Sequence, residues 1–438
     1  MKFPTVDEAI AYLNKFQFHG FRLGLERIDA VLDALGNPHE TYPTIHVAGT
    51  NGKGSVCAAL SSILQEAGYK VGFYSSPHLV KLNERFRINM EPIDDSFLKE
   101  LLEETASLSE KGYELSYFEF TTAMAFSCFA KKGVDIAIIE TGLGGRLDAT
   151  NVITPLISII TNISLEHQTY LGNTVEEIAF EKGGIIKKGV PVVTGRLDGG
   201  PLKVISRICQ EKEAPLHLFG RDFGIKRHGD SALFDLWMDN ATIKNVRFGL
   251  MGKVQMENGA VAAFVCRLLE RMGLSVSQSD IVKGLAKTYW PGRSELFKGS
   301  CWVFMDGAHN LAGLESLRNS LQQLETLLPG IGKKSLLWAC SNEGGDKDPV
   351  KMLQTIAPLF KEIIITEPQG PRLPVTIEEW ANMDTPDGVT LVKDYREALD
   401  VSLSALNSDD LLVVAGSLYL VGPVRERLIA RGFKHHNY

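Results

Sequence analysis

Ile45-His46-Val47-Ala48-Gly49-Thr50-Asn51-Gly52-Lys53-Gly54-Ser55 is an apolar strand pattern that runs into a glycine-rich turn. An alanine-rich helical pattern follows from Val56 to Ala67. That order suits phosphate binding. Glycines let the backbone bend so that several N–H groups point inward, and a helix N-terminus adds partial positive charge. Lys53 adds a full charge, and the Ser55 hydroxyl can hold Mg²⁺. The spacing departs from G-x-x-x-x-G-K-[ST], because Gly54 separates the lysine from the serine. The plain alternative is an ordinary tight strand-to-helix turn. The expectation is that Gly49, Thr50, Asn51, Gly52, Lys53, Gly54 and Ser55 bind ATP.

Outward from this loop, strand patterns alternate with helical ones. Residues 5–35 read as helices around an odd loop at Phe16–Phe21. Strands read at Ile45–Ala48, Val71–Ser75, Asp135–Glu140, Leu156–Thr161 and Pro191–Thr194. Strands separated by helices imply a parallel sheet covered on both faces. Between 216 and 250, short segments with turns read as a small antiparallel addition. Helices return at Glu257–Arg271 and Gln278–Lys287. Trp290-Pro291-Gly292-Arg293 then breaks the pattern. A second series follows, with strands at Cys301–Met305, Ser335–Ala339, Glu362–Thr366, Val389–Val392 and Leu411–Ala415. The fold class read here is α/β with two domains. Residues 1–290 form a P-loop, parallel-sheet ATPase domain with the antiparallel addition, and 291–438 a Rossmann-like α/β domain. A cleft between such domains is a common place for ligands.

Composition narrows the classes. Of 438 residues, 44% are hydrophobic and 23% charged, which fits a globular protein rather than a disordered one. The net charge of -7 argues against a general nucleic-acid surface. The cysteines at 57, 128, 209, 266, 301 and 340 form no C-x-x-C pair, so neither a zinc ribbon nor a disulfide framework is indicated. A reducing cytoplasm is expected. The N-terminal residues carry no signal-peptide pattern, and no apolar run reaches the ~18 residues of a membrane span. A monomer is the default.

Several strand ends carry chemistry, since ligands in open α/β sheets sit beyond the carboxyl ends of strands. Glu140 ends one strand, and a carboxylate there can hold Mg²⁺ or its water. The alternative is a carboxylate capping the next turn. His167 follows another strand, and a lone histidine reads as structural. Lys182, among apolar and small residues, reads as snorkelling to solvent. In Phe304-Met305-Asp306-Gly307-Ala308-His309-Asn310, Asp306 can bind a ribose hydroxyl and His309 a base or phosphate. A turn with an Asn310 helix cap explains that run equally. Arg293, at the domain junction, can reach a transferred phosphate or make an interdomain ion pair.

Taken together, the segments resemble the folylpolyglutamate synthase/dihydrofolate synthase family of the Mur ligase superfamily. The resemblance rests on Leu23–Ile28, His46–Ser55, Ser75–Leu79, Asn83–Arg85, Phe118-Glu119, Glu140–Asn151, His167 with Leu171-Gly172, Ile178–Ile185, Pro291–Arg293, Asp306–Asn310 and Gly416–Tyr419. It implies that Gly52, Lys53 and Ser55 hold the ATP phosphates and one Mg²⁺. It implies that Ser76, Glu140 and His167 hold the metals bridging to the γ-phosphate and the substrate, with two Mg²⁺ sites in all. Lys182 matches a lysine that is carbamylated, which would turn a cation into a carboxylate-like ligand. Asn258, Arg293, Asp306 and His309 match nucleotide contacts. Leu23, Arg27, Pro77, His78, Phe118, Arg146 and Asp148 would form the folate site. The implied reaction has two steps. A carboxylate of dihydropteroate or tetrahydrofolate attacks the γ-phosphate of ATP, and the amine of L-glutamate then displaces phosphate from the acyl phosphate.

The resemblance has departures. Glu166 stands where Asp is usual before the metal histidine, Gly183 where Ala is usual, and Leu311 where Pro is common. Other readings are tail extension alone, without dihydrofolate synthase activity, a peptidoglycan-type Mur ligase, and a silent nucleotide-binding module. Presence of Lys53, Glu140 and His167 argues against the last.

Overall fold

The computed structural model describes residues 1–16, 24–229, 231–239, 241–342 and 347–436. An eight-stranded sheet runs in the order Glu91–Pro92, Phe86–Ile88, Val71–Tyr74, Ile136–Glu140, Thr44–Ala48, Ile157–Ile160, Val192–Thr194 and Leu216–Leu218. Phe86–Ile88 pairs antiparallel with both of its neighbours, Glu91–Pro92 and Val71–Tyr74; the other pairings are parallel. The Thr44–Ala48 strand is buried along its length, as a parallel strand covered on both faces must be.

Alternation of side chains divides the core in two. Ile136 and Ile138 face a cluster with helices Lys53–Glu66, Lys253–Arg271 and Gln278–Lys287. Ala137 and Ile139 face the other, with helices Asp95–Glu110 and Tyr117–Lys132 and the two N-terminal helices, Val6–Asn14 and Glu26–Ala34. A three-stranded antiparallel ribbon, Phe223–Arg227, Leu233–Met238 and Ala241–Arg247, packs on the long helix, with the Phe223 and Phe264 rings stacked at 4.4 Å.

The chain then enters a seven-stranded sheet. Its order is Val389–Leu391, Glu362–Ile365, Lys334–Trp338, Leu411–Ala415, Trp302–Met305, Glu295–Lys298 and Lys434–His435. The Leu411–Ala415 strand is central and parallel to both neighbours.

Four details differ from the sequence reading. Leu216–Leu218 joins the large sheet in parallel rather than the antiparallel ribbon. Short strands at Phe86–Ile88, Glu91–Pro92, Glu295–Lys298 and Lys434–His435 extend the sheet edges, too brief to show alternation. The long helix starts at Lys253, four residues before Glu257. Between Glu362–Ile365 and Val389–Leu391 the described helix is one turn, Ile377–Trp380.

Candidate active site between the two sheets

Topology brings the strand ends together. The Thr44–Ala48 strand lies between Ile136–Glu140 and Ile157–Ile160, and Val47 is level with Glu140. The loop after Thr44–Ala48 therefore sits between Glu140 and the Asn162–His167 segment. Val71–Tyr74 pairs with the far side of Ile136–Glu140, which sets Ser76 beside Glu140. From the second sheet, the segments just after the strands ending at Met305, Trp338 and Ala415 bring Asp306, Ser341 and Ser417. All of these line one cleft of about 370 Å³.

The phosphate loop is tied from below. Asn51 N–H donates to Asn162 Oδ1 at 2.7 Å, and the Thr161 hydroxyl donates to Asn51 O at 2.6 Å. Lys53 Nζ donates to the Gly49 and Thr50 carbonyls, at 2.8 and 3.2 Å. The Lys53–Glu66 helix has no side-chain cap at Gly52, so its first N–H groups are available to a ligand. Gly52 has φ +83°, and a Cβ there would come within 2.8 Å of Asn258 Oδ1. Asn258 is thus packed on the loop. Its Nδ2 donates to Gln255 Oε1 at 3.1 Å.

Glu140 is 5% exposed. Burial pushes its carboxyl up to about 7, against the pull of Lys53 and Arg293. It does not cap the following turn. Asp148 does that work, accepting the Gly142 and Leu143 amides at 2.9 and 2.8 Å. Lys182 does not snorkel. It is 1% exposed and donates to Glu166 Oε1 at 2.7 Å. Burial lowers the Lys182 ammonium from its ordinary range. Burial works to raise the Glu166 carboxyl, but the charge of Lys182 prevails and holds it at about 2. His167, at φ +47°, is pushed down to about 4 by burial and is neutral.

Among the described residues no group of three or more His, Cys, Asp and Glu side chains is arranged as a metal site. The donor chemistry still fits Mg²⁺. A desolvated carboxyl at Glu140 and the Ser55 and Ser76 hydroxyls are hard oxygen donors, and Mg²⁺ binds through one or two carboxylates with substrate phosphates completing the shell.

On the second sheet's side, Asp306 is buried and accepts the Ser294 amide at 2.9 Å. His309 Nδ1 pairs with the Gly307 carbonyl at 2.7 Å. A carbonyl only accepts, so Nδ1 carries the proton and Nε2 is left as an acceptor. Burial holds this histidine well below its ordinary range. Asn310 is a helix cap, accepting the Gly313 amide at 2.8 Å, and it also touches Asn51. Arg293 lies over Gly307 and acts on the charges of Glu140, Asp306 and His309.

The residues expected to hold folate divide. Leu23 falls outside the described residues. Pro77 lines the main cleft, and His78 lines an adjoining recess with Ser76, Glu84 and Arg87. His78 Nδ1 accepts from Arg85 Nε at 2.9 Å. Phe118 stacks with Tyr74 at 6.0 Å, and Arg27 pairs with Glu119 at 2.9 Å. Asp148 is buried and engaged by its own loop. Arg146 pairs with Glu181 at 2.9 Å and lies over the Phe180 ring, on the outer flank of the Val175–Gly183 helix.

Sequence reading passed over cations of the cleft. Lys347 and Arg372 line it from the second sheet's side. Burial brings Lys347 down to about 8. Arg372 acts on the charges of His167 and His309. A signal was present: Asp348 and Pro349 are a helix N-cap and first-turn pair, which places the residue before them at a helix start.

Comparison with known proteins agrees with this layout. Residues 47–266 match the Mur ligase middle domain, and 292–418 the Mur ligase glutamate ligase domain. The chain is 33% identical to folylpolyglutamate synthase of Lacticaseibacillus casei, covering 96% of this chain and 98% of that one. It is 32% identical to dihydrofolate synthase/folylpolyglutamate synthase of Bacillus subtilis, covering 97% and 100%. The structure of Escherichia coli FolC with DHPP and ADP superposes with a TM-score of 0.85, at 30% identity and 98% coverage of each chain. The two α/β units are therefore those of the Mur ligases, and the chain belongs to the folylpolyglutamate synthase/dihydrofolate synthase family.

Proposed function

We propose that this protein joins L-glutamate to dihydropteroate and to tetrahydrofolates, using ATP. The observation that carries this reading is the convergence of the phosphate loop, Glu140 and the second sheet's Asp306–Asn310 turn on one cleft. ATP phosphates bind at Gly49–Ser55, with Asn258, Arg293, Asp306 and His309 around the nucleotide. Ser55, Ser76, Glu140, His167 and a carbamylated Lys182 would hold Mg²⁺ at two sites, where it would neutralise charge on the phosphates. The buried, charge-lowered amine of Lys182 supports carbamylation, since only a neutral amine reacts with CO₂. Folate lies toward Arg27, Pro77, His78 and Phe118. Lys347 and Arg372 are matched to the carboxylates of incoming glutamate, because they are cations facing the cleft opposite the phosphate loop.

The protein's part in the reaction is positioning and charge. Lys53 and Arg293 offset the charge that builds as the folate carboxylate takes the γ-phosphoryl group. The second sheet then presents the glutamate amine to the acyl phosphate. No protein nucleophile is needed. The two catalytic units meet at 290/291, and the protein works as a cytoplasmic monomer. Among the described residues no helix is long and apolar enough to cross a membrane.

ADP release with Mg²⁺-ATP and L-glutamate tests the reading. Turnover with dihydropteroate and tetrahydrofolate is expected. Turnover with tetrahydrofolate alone would restrict the enzyme to tail extension. Silence with both would reject the assignment.

A further inference from the structure

The junction between the two units is clamped by a buried carboxylate that touches nothing in the cleft. Glu295 is 1% exposed. Its Oε2 accepts the Gly292 amide at 2.7 Å, and both oxygens accept from Arg425 Nε, at 2.9 and 3.0 Å. Tyr289 O–H donates to Oε1, and Arg425 Nη2 donates to the Tyr289 oxygen. Glu295 therefore binds both sides of the short segment Tyr289–Gly292 and ties it to the last long helix, Leu418–Ala430.

The same segment is gripped from the first unit. The Trp290 ring lies 5.0 Å from Phe73, under the Arg87 guanidinium at 5.1 Å, and against Gly54 of the phosphate loop. Past it, Gly307 N–H donates to the Gly292 carbonyl at 2.8 Å, and Ser294 N–H to Asp306. Arg293 is the residue between these two sets of anchors. Its backbone is fixed at Gly292 and Ser294, on either side, so its guanidinium is aimed by the clamp. A chain held at both flanks loses little freedom when the side chain engages a ligand.

We propose that Glu295, through Gly292 and with Arg425 and Tyr289, is a positioning residue that aims Arg293 at the nucleotide. This rests on the reading of Arg293 as a nucleotide contact. The clamp does not touch the reacting atoms. A buried ion pair does not by itself guarantee stability, and fixing one geometry is its better-attested use.

A double-mutant cycle tests this, with ATP affinity read by calorimetry and turnover by ADP release. Glu295→Gln keeps the shape and removes the charge. It is expected to weaken ATP binding and lower kcat, each by about tenfold, as for a catalytic group displaced by a fraction of an ångström. In an Arg293→Ala background the same change is expected to move ATP affinity by less than about twofold, because the residue it aims is gone. Equal losses in both backgrounds, or wild-type values in Glu295→Gln, overturn the proposal. Should Glu295→Gln fail to fold, Tyr289→Phe removes the hydroxyl's bonds to Glu295 and Arg425 and keeps the Glu295–Arg425 pair; a smaller loss that vanishes without Arg293 is expected, and a loss that persists overturns the idea. Wild-type ATP affinity in Arg293→Ala alone would instead remove the nucleotide role of Arg293 on which it stands.

Discussion

The side-chain amides of Asn51 and Asn310 bond each other in both directions, each at 3.1 Å. One belongs to the phosphate loop and the other caps the Leu311–Leu327 helix. The pair joins the two units at the glycine-rich loop proposed to bind the ATP phosphates. Asn51→Ala removes the pair and leaves the helix cap intact. Binding sites built on pre-aligned elements lose affinity when the alignment is released. ATP affinity is expected to fall about tenfold, with a stability change under ~1 kcal/mol for a part-buried neutral pair. Asn310→Ala is expected to lose the cap as well, about 1 kcal/mol more. Calorimetry and thermal melting on both variants separate the two effects, and equal melting points would contradict the cap's role.

Among the described residues, Lys53 Nζ donates to two carbonyls of its own loop. Lys53→Ala should therefore barely change the melting point. Its loss leaves the phosphoryl-transfer state short of one positive charge, so kcat is expected to fall at least ~10²-fold. Single-turnover ADP release measures this, and wild-type turnover would take Lys53 out of the mechanism.

Much of the fold was legible because long, apolar, β-branched strands alternate with helices. Thr44–Ala48 and Leu411–Ala415, the central strands, are buried throughout and read directly. What could not be read was pairing. Leu216–Leu218 has three residues, too few to reveal whether it extends the large sheet or starts the ribbon. Edge strands such as Lys434–His435 have two, and tertiary contact alone makes them strands.

The site was legible where backbone shape is the signal, as at Gly52, whose positive φ the loop requires. It was not legible where long-range contact decides. Lys182 looks like a surface lysine in sequence, and only the fold buries it against Glu166. Arg372 carries no local motif, and the helix start after Lys347 marks a turn but not the cleft, to which topology brings both.

Glu166 and Lys182 make opposite demands on one amine. The 2.7 Å ion pair stabilises the ammonium form, whereas carbamylation needs the neutral amine. Glu166→Gln removes the stabilising charge and should let the carbamate form at lower bicarbonate. With ¹³C-bicarbonate, the carbamate signal is expected to saturate earlier in Glu166→Gln than in wild type. Lys182→Ala should show no such signal, lose activity, and recover part of it with small carboxylates. It should also be destabilised, by up to about 3 kcal/mol, since the largely buried Glu166 is left without its partner. Full activity of wild type in CO₂-depleted buffer would sink the carbamate.

Glu140 sets function against stability, and pH separates the two. Burial raises its carboxyl to about 7 in the fold, whereas an unfolded glutamate titrates at about 4.3. The folded state thus holds a proton that the unfolded state releases. Below pH ~4 both states are protonated and Glu140 costs nothing. Between ~4 and 7 the cost grows, and above 7 it is complete, on the order of 3 kcal/mol for a shift of this size. Glu140→Gln should therefore raise the melting point of the ligand-free protein at pH 8 and leave it nearly unchanged at pH 4. A proton and Mg²⁺ compete for the same carboxylate. The apparent Mg²⁺ requirement of wild type is expected to relax as pH rises through 7 and to level off above it. In Glu140→Gln that pH dependence should vanish along with most activity. Melting curves that respond to the substitution equally at pH 4 and pH 8 would mean that Glu140 is not the buried acid described here.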